Sequence, residues 1–354
     1  MSEINENEVV IIDDTSEENE EFRYSITSYG ADYTIDSIVN RIEKEKIFVP
    51  PFQRKYVWTQ VQASRFIESL ILGLPVPGVF LSQETEKNRL LIVDGQQRIL
   101  SIANFYKGVF GERKFRLKGV QADLEGLTYD GLKEADQNRL DDSILHATVI
   151  KQDSPSGDDS SIYMVFERLN TGGTPLQPQE IRACVYYGQL NELLTELIKN
   201  PNWRAILGNE NRRMKEQELL LRFFTLYFNY ESYKKIFKSF LNSFMSENRN
   251  LELYTADEIS TLFNNTIELI HSSIGSNAFR TGNRLNAAIF DAVMVGVTKR
   301  LMSNKGDIDK AKLKTQYEWL LTQVDFLSFV ESSTSSESSV KGRIEKSIQA
   351  FKEI

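Results

Sequence analysis

Leu90-Leu91-Ile92-Val93-Asp94-Gly95-Gln96-Gln97-Arg98-Ile99-Leu100-Ser101-Ile102 is the stretch whose reading decides the fold. Four consecutive apolar residues, Leu90 to Val93, fit a fully buried strand. Asp94-Gly95 is a turn signal. Beyond it the period changes, and Ile99, Leu100, Ile102 and Ala103 fall on one helical face. A strand that stops at a glycine and restarts as a helix leaves the first helical N–H groups unpaired. Those donors and the positive end of the helix dipole form an anion site. Arg98, in the first turn, can add a two-pronged contact to phosphate or carboxylate. The plainer and commoner alternative has Asp94 capping the helix and Arg98 paired with a surface acid.

Upstream, Thr34 or Asp36 can cap a helix carrying Ile38, Val39 and Ile42 on one side. Phe48-Val49-Pro50-Pro51-Phe52-Gln53-Arg54-Lys55-Tyr56-Val57-Trp58 follows, and its double proline forces an extended path. Aromatic and basic residues in such close succession suit base stacking and phosphate contact. Phe52, Tyr56 and Trp58 serve equally well as core side chains. Thr59 with Gln62 three residues on is a capping-box pattern. It opens a helix striped by Ala63, Phe66, Ile67, Leu70 and Ile71 and ended by Gly73. Pro75-Val76-Pro77-Gly78 then turns the chain into a strand from Val79 to Gln83, and a polar turn returns it to Leu90.

Downstream, residues 109–143 read as a peripheral excursion, with a strand near Phe115-Arg116-Leu117 and a helix from Tyr129 to Leu140. Ile144 to Ile150 is a further strand. Its His146 alternates with apolar neighbours, and a lone histidine in a strand reads as structural. A helix beginning near Ser160 ends at Asn170-Thr171-Gly172-Gly173, and Pro178 starts another at its first position. Gly172 is explained by a helix C-cap alone. From 186 onward the chain is nearly all helix by pattern: Leu190 to Ile198, Gln217 to Phe228, Tyr233 to Phe244, Ala256 to His271, Leu285 to Leu301 and Tyr317 to Val330. Ser332 to Ser339 is a polar loop before Val340-Lys341-Gly342-Arg343-Ile344. Its hydroxyls beside Lys341 and Arg343 offer a phosphate site, against the simpler reading of a solvated loop.

The expected organisation is therefore α+β, with a small mixed-sheet domain at 22–185 and a helical bundle at 186–354. Residues 1–21 hold nine acids and no lysine or arginine, so the net charge of −8 resides in an acidic tail and the body is near neutral. One cysteine, Cys184, excludes a disulfide framework within the chain and points to a cytoplasmic location. No signal peptide is expected, and no apolar run is long enough to span a membrane.

Several chemistries are excluded. Two histidines, His146 and His271, and one cysteine supply no zinc site of ordinary spacing and no HNH nuclease motif. Neither a P-loop nor a G-x-S-x-G elbow occurs. Phosphate chemistry remains, built on a helix N-terminus, an arginine and a carboxylate that could hold Mg²⁺. A helix dipole contributes at most about 2 kcal/mol and a charged hydrogen bond about 1.5–3 kcal/mol. Together they support roughly millimolar binding, so a useful nucleotide site needs base contacts or a metal as well. Asp94, at the carboxyl end of its strand, is the natural carboxylate.

Val93-Asp94-Gly95-Gln96-Gln97-Arg98, Pro51-Phe52-Gln53-Arg54, and Phe166-Glu167-Arg168-Leu169-Asn170-Thr171-Gly172-Gly173 followed by Leu176 and Glu180-Ile181 occur in this order. The set resembles the GmrSD-type restriction endonuclease N-terminal domain, also called domain of unknown function 262. The resemblance extends to the closing serine-rich loop and Val340-Lys341-Gly342-Arg343. It implies a ParB/sulfiredoxin-like fold and a nucleotide-binding, NTP-hydrolysing module of a bacterial DNA restriction or anti-phage defence system. Carried over, Asp94, Gln97 and Arg98 are the catalytic set, with Asp94 on Mg²⁺. Gly95, Gln96, Gln53, Arg54 and Asn170 would bind a nucleoside triphosphate, and Lys341 and Arg343 are the further phosphate candidates. Implied partners are DNA, modified or from phage, and a nuclease subunit, since this chain lacks the histidines of the HNH-like domain many relatives carry. Self-association into a homo-oligomer is left open. The rival readings are a non-catalytic DNA-binding or protein-interaction scaffold and a ParB-fold nicking enzyme.

Overall fold

The computed structural model describes residues 11–12, 25–49, 56–84, 89–154, 160–169, 176–210, 213–282, 284–303 and 306–354. Two units are present, Arg23–Val185 and a second formed by Met1–Phe22 with Tyr186–Ile354. Strand β1 (Ile11–Ile12), within the acidic segment expected as a tail, pairs in parallel with Leu285 and Asn286 of the second unit.

The first unit opens with β2 (Ser25–Thr34), α1 (Ile35–Glu43), β3 (Ile47–Phe48), α2 (Gln60–Ile71), β4 (Val79–Glu84), β5 (Arg89–Asp94) and α3 (Gln96–Tyr106). A small hairpin of β6 (Val109–Phe110) and β7 (Arg113–Lys114), then α4 (Glu134–Asp142), β8 (Ile144–Ser154), α5 (Ser160–Leu169) and α6 (Pro178–Val185) complete it. Among the described residues its main sheet has five strands in the order β2-β8-β4-β5-β3. The β2/β8 and β4/β5 pairs are antiparallel, while β8/β4 and β5/β3 are parallel. One face carries the core: Leu145, Ala147 and Val149 of β8, Val79 and Leu81 of β4, and Leu90 and Ile92 of β5. They pack with Ile35, Ile67, Ile99, Ile102 and Phe105 from the helices.

Local chemistry explains the element starts. Thr34 accepts the Ser37 N–H at 3.3 Å to begin α1, and Thr59 with Gln62 closes both bonds of the capping box at α2. The excursion differs from expectation. Phe115 and Leu117 are buried but not in a strand; they anchor the loop beyond the hairpin, Phe115 edge-on to Phe105 at 5.2 Å. The expected helix at 129–140 is a 3₁₀ turn, Tyr129–Gly131, followed by α4. Strand β2 carried no readable pattern, because most of its described residues are exposed.

The second unit continues with α7 (Gln189–Leu197), α8 (Pro201–Leu207), α9 (Lys215–Asn229), α10 (Phe237–Glu247), α11 (Ala256–Ser273), β9 (Arg280–Thr281), β10 (Arg284–Asn286), α12 (Ala287–Leu301), α13 (Lys310–Leu320), α14 (Val324–Glu331) and α15 (Glu337–Phe351). The expected helix at 317–330 is two helices, α13 closing at Leu321 and α14 starting after Gln323. α12 is buried along most of its length. Its Gly296 lets α15 approach so closely that a Cβ there would lie 2.3 Å from Ser347 Oγ. No helix among the described residues is long and apolar enough to cross a membrane.

Candidate functional site

Asp94 ends β5 and Gly95 starts α3 as its N-cap, with φ +93°. Only glycine adopts that conformation without cost, and the space is also closed: a Cβ on Gly95 would meet Val79 Cγ1 at 2.4 Å. The N-cap has no side chain to satisfy the first-turn donors, and no side-chain cap bond is made there. Asp94 is thus not the helix cap that the plainer sequence reading made it.

A register shift between Phe80 and Leu81 decides where Asp94 faces. Leu81 pairs with Ile92 on the core face, and Phe80 then pairs with Asp94, so Val93 is the extra residue of a bulge. Simple alternation would have put Asp94 beside Ile92 in the core. The bulge turns it to the opposite face, where its side chain is 43% exposed.

Arg98 holds Asp94 there. Its Nη2 donates to Asp94 Oδ2 at 2.9 Å, and its Nη1 donates to the carbonyls of Pro77 and Gly78 at 2.8 and 2.7 Å. The guanidinium is only 15% exposed. This corrects the expectation of an outward phosphate prong: the two terminal nitrogens are spent on the Pro77-Gly78 turn and on the carboxylate. The sequence signal for those partners was the Pro75-Val76-Pro77-Gly78 turn, read only as punctuation.

Gln97 also has a positioning role. Its Oε1 accepts the Val57 and Trp58 N–H groups at 2.9 and 3.1 Å. Its carbonyl accepts Ser101 Oγ at 2.6 Å, and Ser101 Oγ bonds the Tyr56 hydroxyl at 2.6 Å. The segment leaving the double proline is therefore pinned to α3 at three successive residues. Gln53, Arg54 and Asn170 lie outside the described residues. Gln96 is half-buried at the helix start.

The same sheet end carries a second pair. His146 Nδ1 lies 2.5 Å from Asp32 Oδ1 across the β8/β2 ladder. Both are open to solvent, at 71% and 59%. A Cβ on Gly78 would sit 2.9 Å from the His146 carbonyl and 3.5 Å from its Cβ. From β5 to β2 the sheet end thus presents carboxylate, guanidinium, imidazole and carboxylate.

Lys341 and Arg343 do not form a phosphate site. Lys341 pairs with Glu337 at 2.7 Å along α15. Arg343 is fully buried, donating to the Thr334 carbonyl and to Asp291 Oδ2 at 2.8 Å. Asp291 also takes a two-pronged contact from Arg222, at 3.1 and 2.7 Å. A buried guanidinium committed to a buried carboxylate stabilises the helical core and is not available to a ligand. The serine loop supplies the α15 cap, Ser336 accepting the Ser339 N–H at 3.1 Å.

Cys184 is fully buried and its thiol is pushed far up by burial and by Glu180, so it is inert. Glu180 itself accepts the Gln177 N–H at 2.6 Å. No group of three His, Cys, Asp or Glu side chains among the described residues could hold a metal by itself. Among the described residues Asp94 is the carboxylate at the start of α3, and Mg²⁺ needs only one or two carboxylates when phosphates and water complete its shell.

Residues 35–187 match the family model described as GmrSD restriction endonuclease, N-terminal domain. No curated protein matches the chain.

Proposed function

Residues 35–187 of this chain are a GmrSD-type restriction endonuclease N-terminal domain, a module of restriction and defence systems, and from that premise we propose that the Asp94–Arg98 corner binds and hydrolyses a nucleoside triphosphate with Mg²⁺. One observation supports the reading above others: Asp94 is turned out of the core by a bulge and held exposed by Arg98 at the uncapped start of α3. A carboxylate held this way at the positive end of the α3 dipole suits a phosphate-bound metal, the helix start favouring the phosphate and the carboxylate taking the ion. Bound Mg²⁺ would neutralise the developing charge on the transferred phosphoryl group. Arg98 orients Asp94 and stiffens the Pro77-Gly78 turn. Gln97 keeps the Tyr56–Trp58 segment tethered to α3.

In this reading the module couples nucleotide turnover to DNA, modified or of phage origin, or to a nuclease subunit. Phosphate release from ATP, GTP, CTP and UTP with Mg²⁺, with and without DNA, tests it. Release by the wild type and its loss in Asp94→Ala is the expected result. Nucleotide bound without release under any condition would return the corner to the role of a non-catalytic scaffold. Plasmid nicking by this chain alone would instead favour a nicking enzyme.

A further inference from the structure

We propose that His146, oriented by Asp32, is the proton acceptor of this corner; the proposal rests on the hydrolytic reading above. Facing, placement and chemistry all support it. The side chains of Leu145, Ala147 and Val149 fill the core, so alternation puts His146 on the opposite face of β8. Ala31 and Tyr33 pack on the same core, which puts Asp32 opposite as well. Asp94 reaches that face through the β5 bulge. His146 and Asp94 therefore share one face of the sheet.

They also share one end of it. Asp94 pairs with Phe80, and Phe80 with Thr148, two residues from His146. Two strand spacings and two residue rises separate their Cα atoms by roughly 12 Å. Between them lies Gly78, packed so closely on the His146 backbone that a Cβ would sit 2.9 Å from its carbonyl oxygen. Its carbonyl receives Arg98. A triphosphate anchored at Asp94 and α3 can lie along this row and bring its terminal phosphate toward the imidazole.

The chemistry fits a base. A carboxylate 2.5 Å from Nδ1 favours the tautomer with the proton on Nδ1. Nε2 is then left with its lone pair outward. In the step, a water oxygen attacks the γ-phosphorus as its proton passes to Nε2. The bond from γ-phosphorus to the bridging oxygen breaks, and the nucleoside diphosphate leaves with that electron pair. The imidazolium then returns its proton to solvent. Asp32 is a positioning residue for His146. A purely structural cross-strand pair has no need for an imidazole this exposed.

The test is phosphate release and nucleotide affinity for wild type, His146→Gln, His146→Ala and Asp32→Asn. The thermal midpoint of each is checked against wild type. His146→Gln should bind nucleotide as the wild type does and release phosphate about 10²–10⁴-fold more slowly. Added imidazole should restore part of the rate to His146→Ala and none to Asp94→Ala, a readout that a structural role would not move. Wild-type rates in His146→Gln, or no rescue of His146→Ala, would overturn the assignment of His146 while leaving Asp94 in place. A wild type that binds nucleotide but never releases phosphate would overturn the hydrolytic reading itself, and this assignment with it.

Discussion

Gly95 is the residue on which the corner depends most. Its positive φ and the 2.4 Å approach to Val79 act together, so Gly95→Ala should cost at least about 1–3 kcal/mol in denaturant unfolding. The same variant should displace Asp94 and weaken nucleotide binding. The two glutamines of the motif are not equivalent. Gln97→Ala removes the acceptor for two backbone N–H groups, at a cost of about 1–2 kcal/mol. Faster amide exchange at Val57 and Trp58, with Ile99 and Ile102 unchanged, would locate that loss. What could be read at this scale depended on range. Gly95 is legible in Asp-Gly before a helical period, because its constraint is local. His146 is not: a lone histidine in a strand reads as structural, and its partner Asp32 lies on a strand the sequence did not reveal. Arg343 was misread for the same reason, since the serines beside it are visible in the sequence and the distant Asp291 that pairs with it is not.

Among elements, β5 and α3 were legible because the apolar period changes at a glycine. The direction of Asp94 was not, since the β5 bulge depends on the register with β4. Strand β2 escaped notice because an exposed edge strand needs no apolar alternation. The excursion shows a further element-level device. Tyr106 and Tyr129 stack at 4.1 Å and both donate to Asp141. Burial, then Asp141, pushes the Tyr129 hydroxyl up to about 12. A raised folded-state value means the folded chain holds this proton more tightly. Its contribution is complete below about pH 10, the ordinary tyrosine value, and is lost as pH rises through about 12. Tyrosinate absorbance should show a phase lagging free tyrosine, and Asp141→Asn should shift that phase toward lower pH.

At the scale of the whole molecule, the helical unit is held by a polar centre as well as by its apolar contacts. Asp291 receives both buried Arg222 and buried Arg343, and removing it by Asp291→Ala should destabilise the chain by about 3–5 kcal/mol. Arg343→Met, which trades a buried charge for apolar volume, should leave nucleotide affinity unchanged if Arg343 is structural. The α+β order of a mixed sheet followed by helices was legible from the periodicities, and the GmrSD-type match over 35–187 falls on the sheet-containing part. The most direct test of the account is a calorimetric titration of the full chain with a non-hydrolysable triphosphate and Mg²⁺. Saturable, Mg²⁺-dependent binding that weakens at least about tenfold, or 1.4 kcal/mol, in Asp94→Ala is the predicted result. Equal affinity in wild type and Asp94→Ala, or no binding by either, would contradict it.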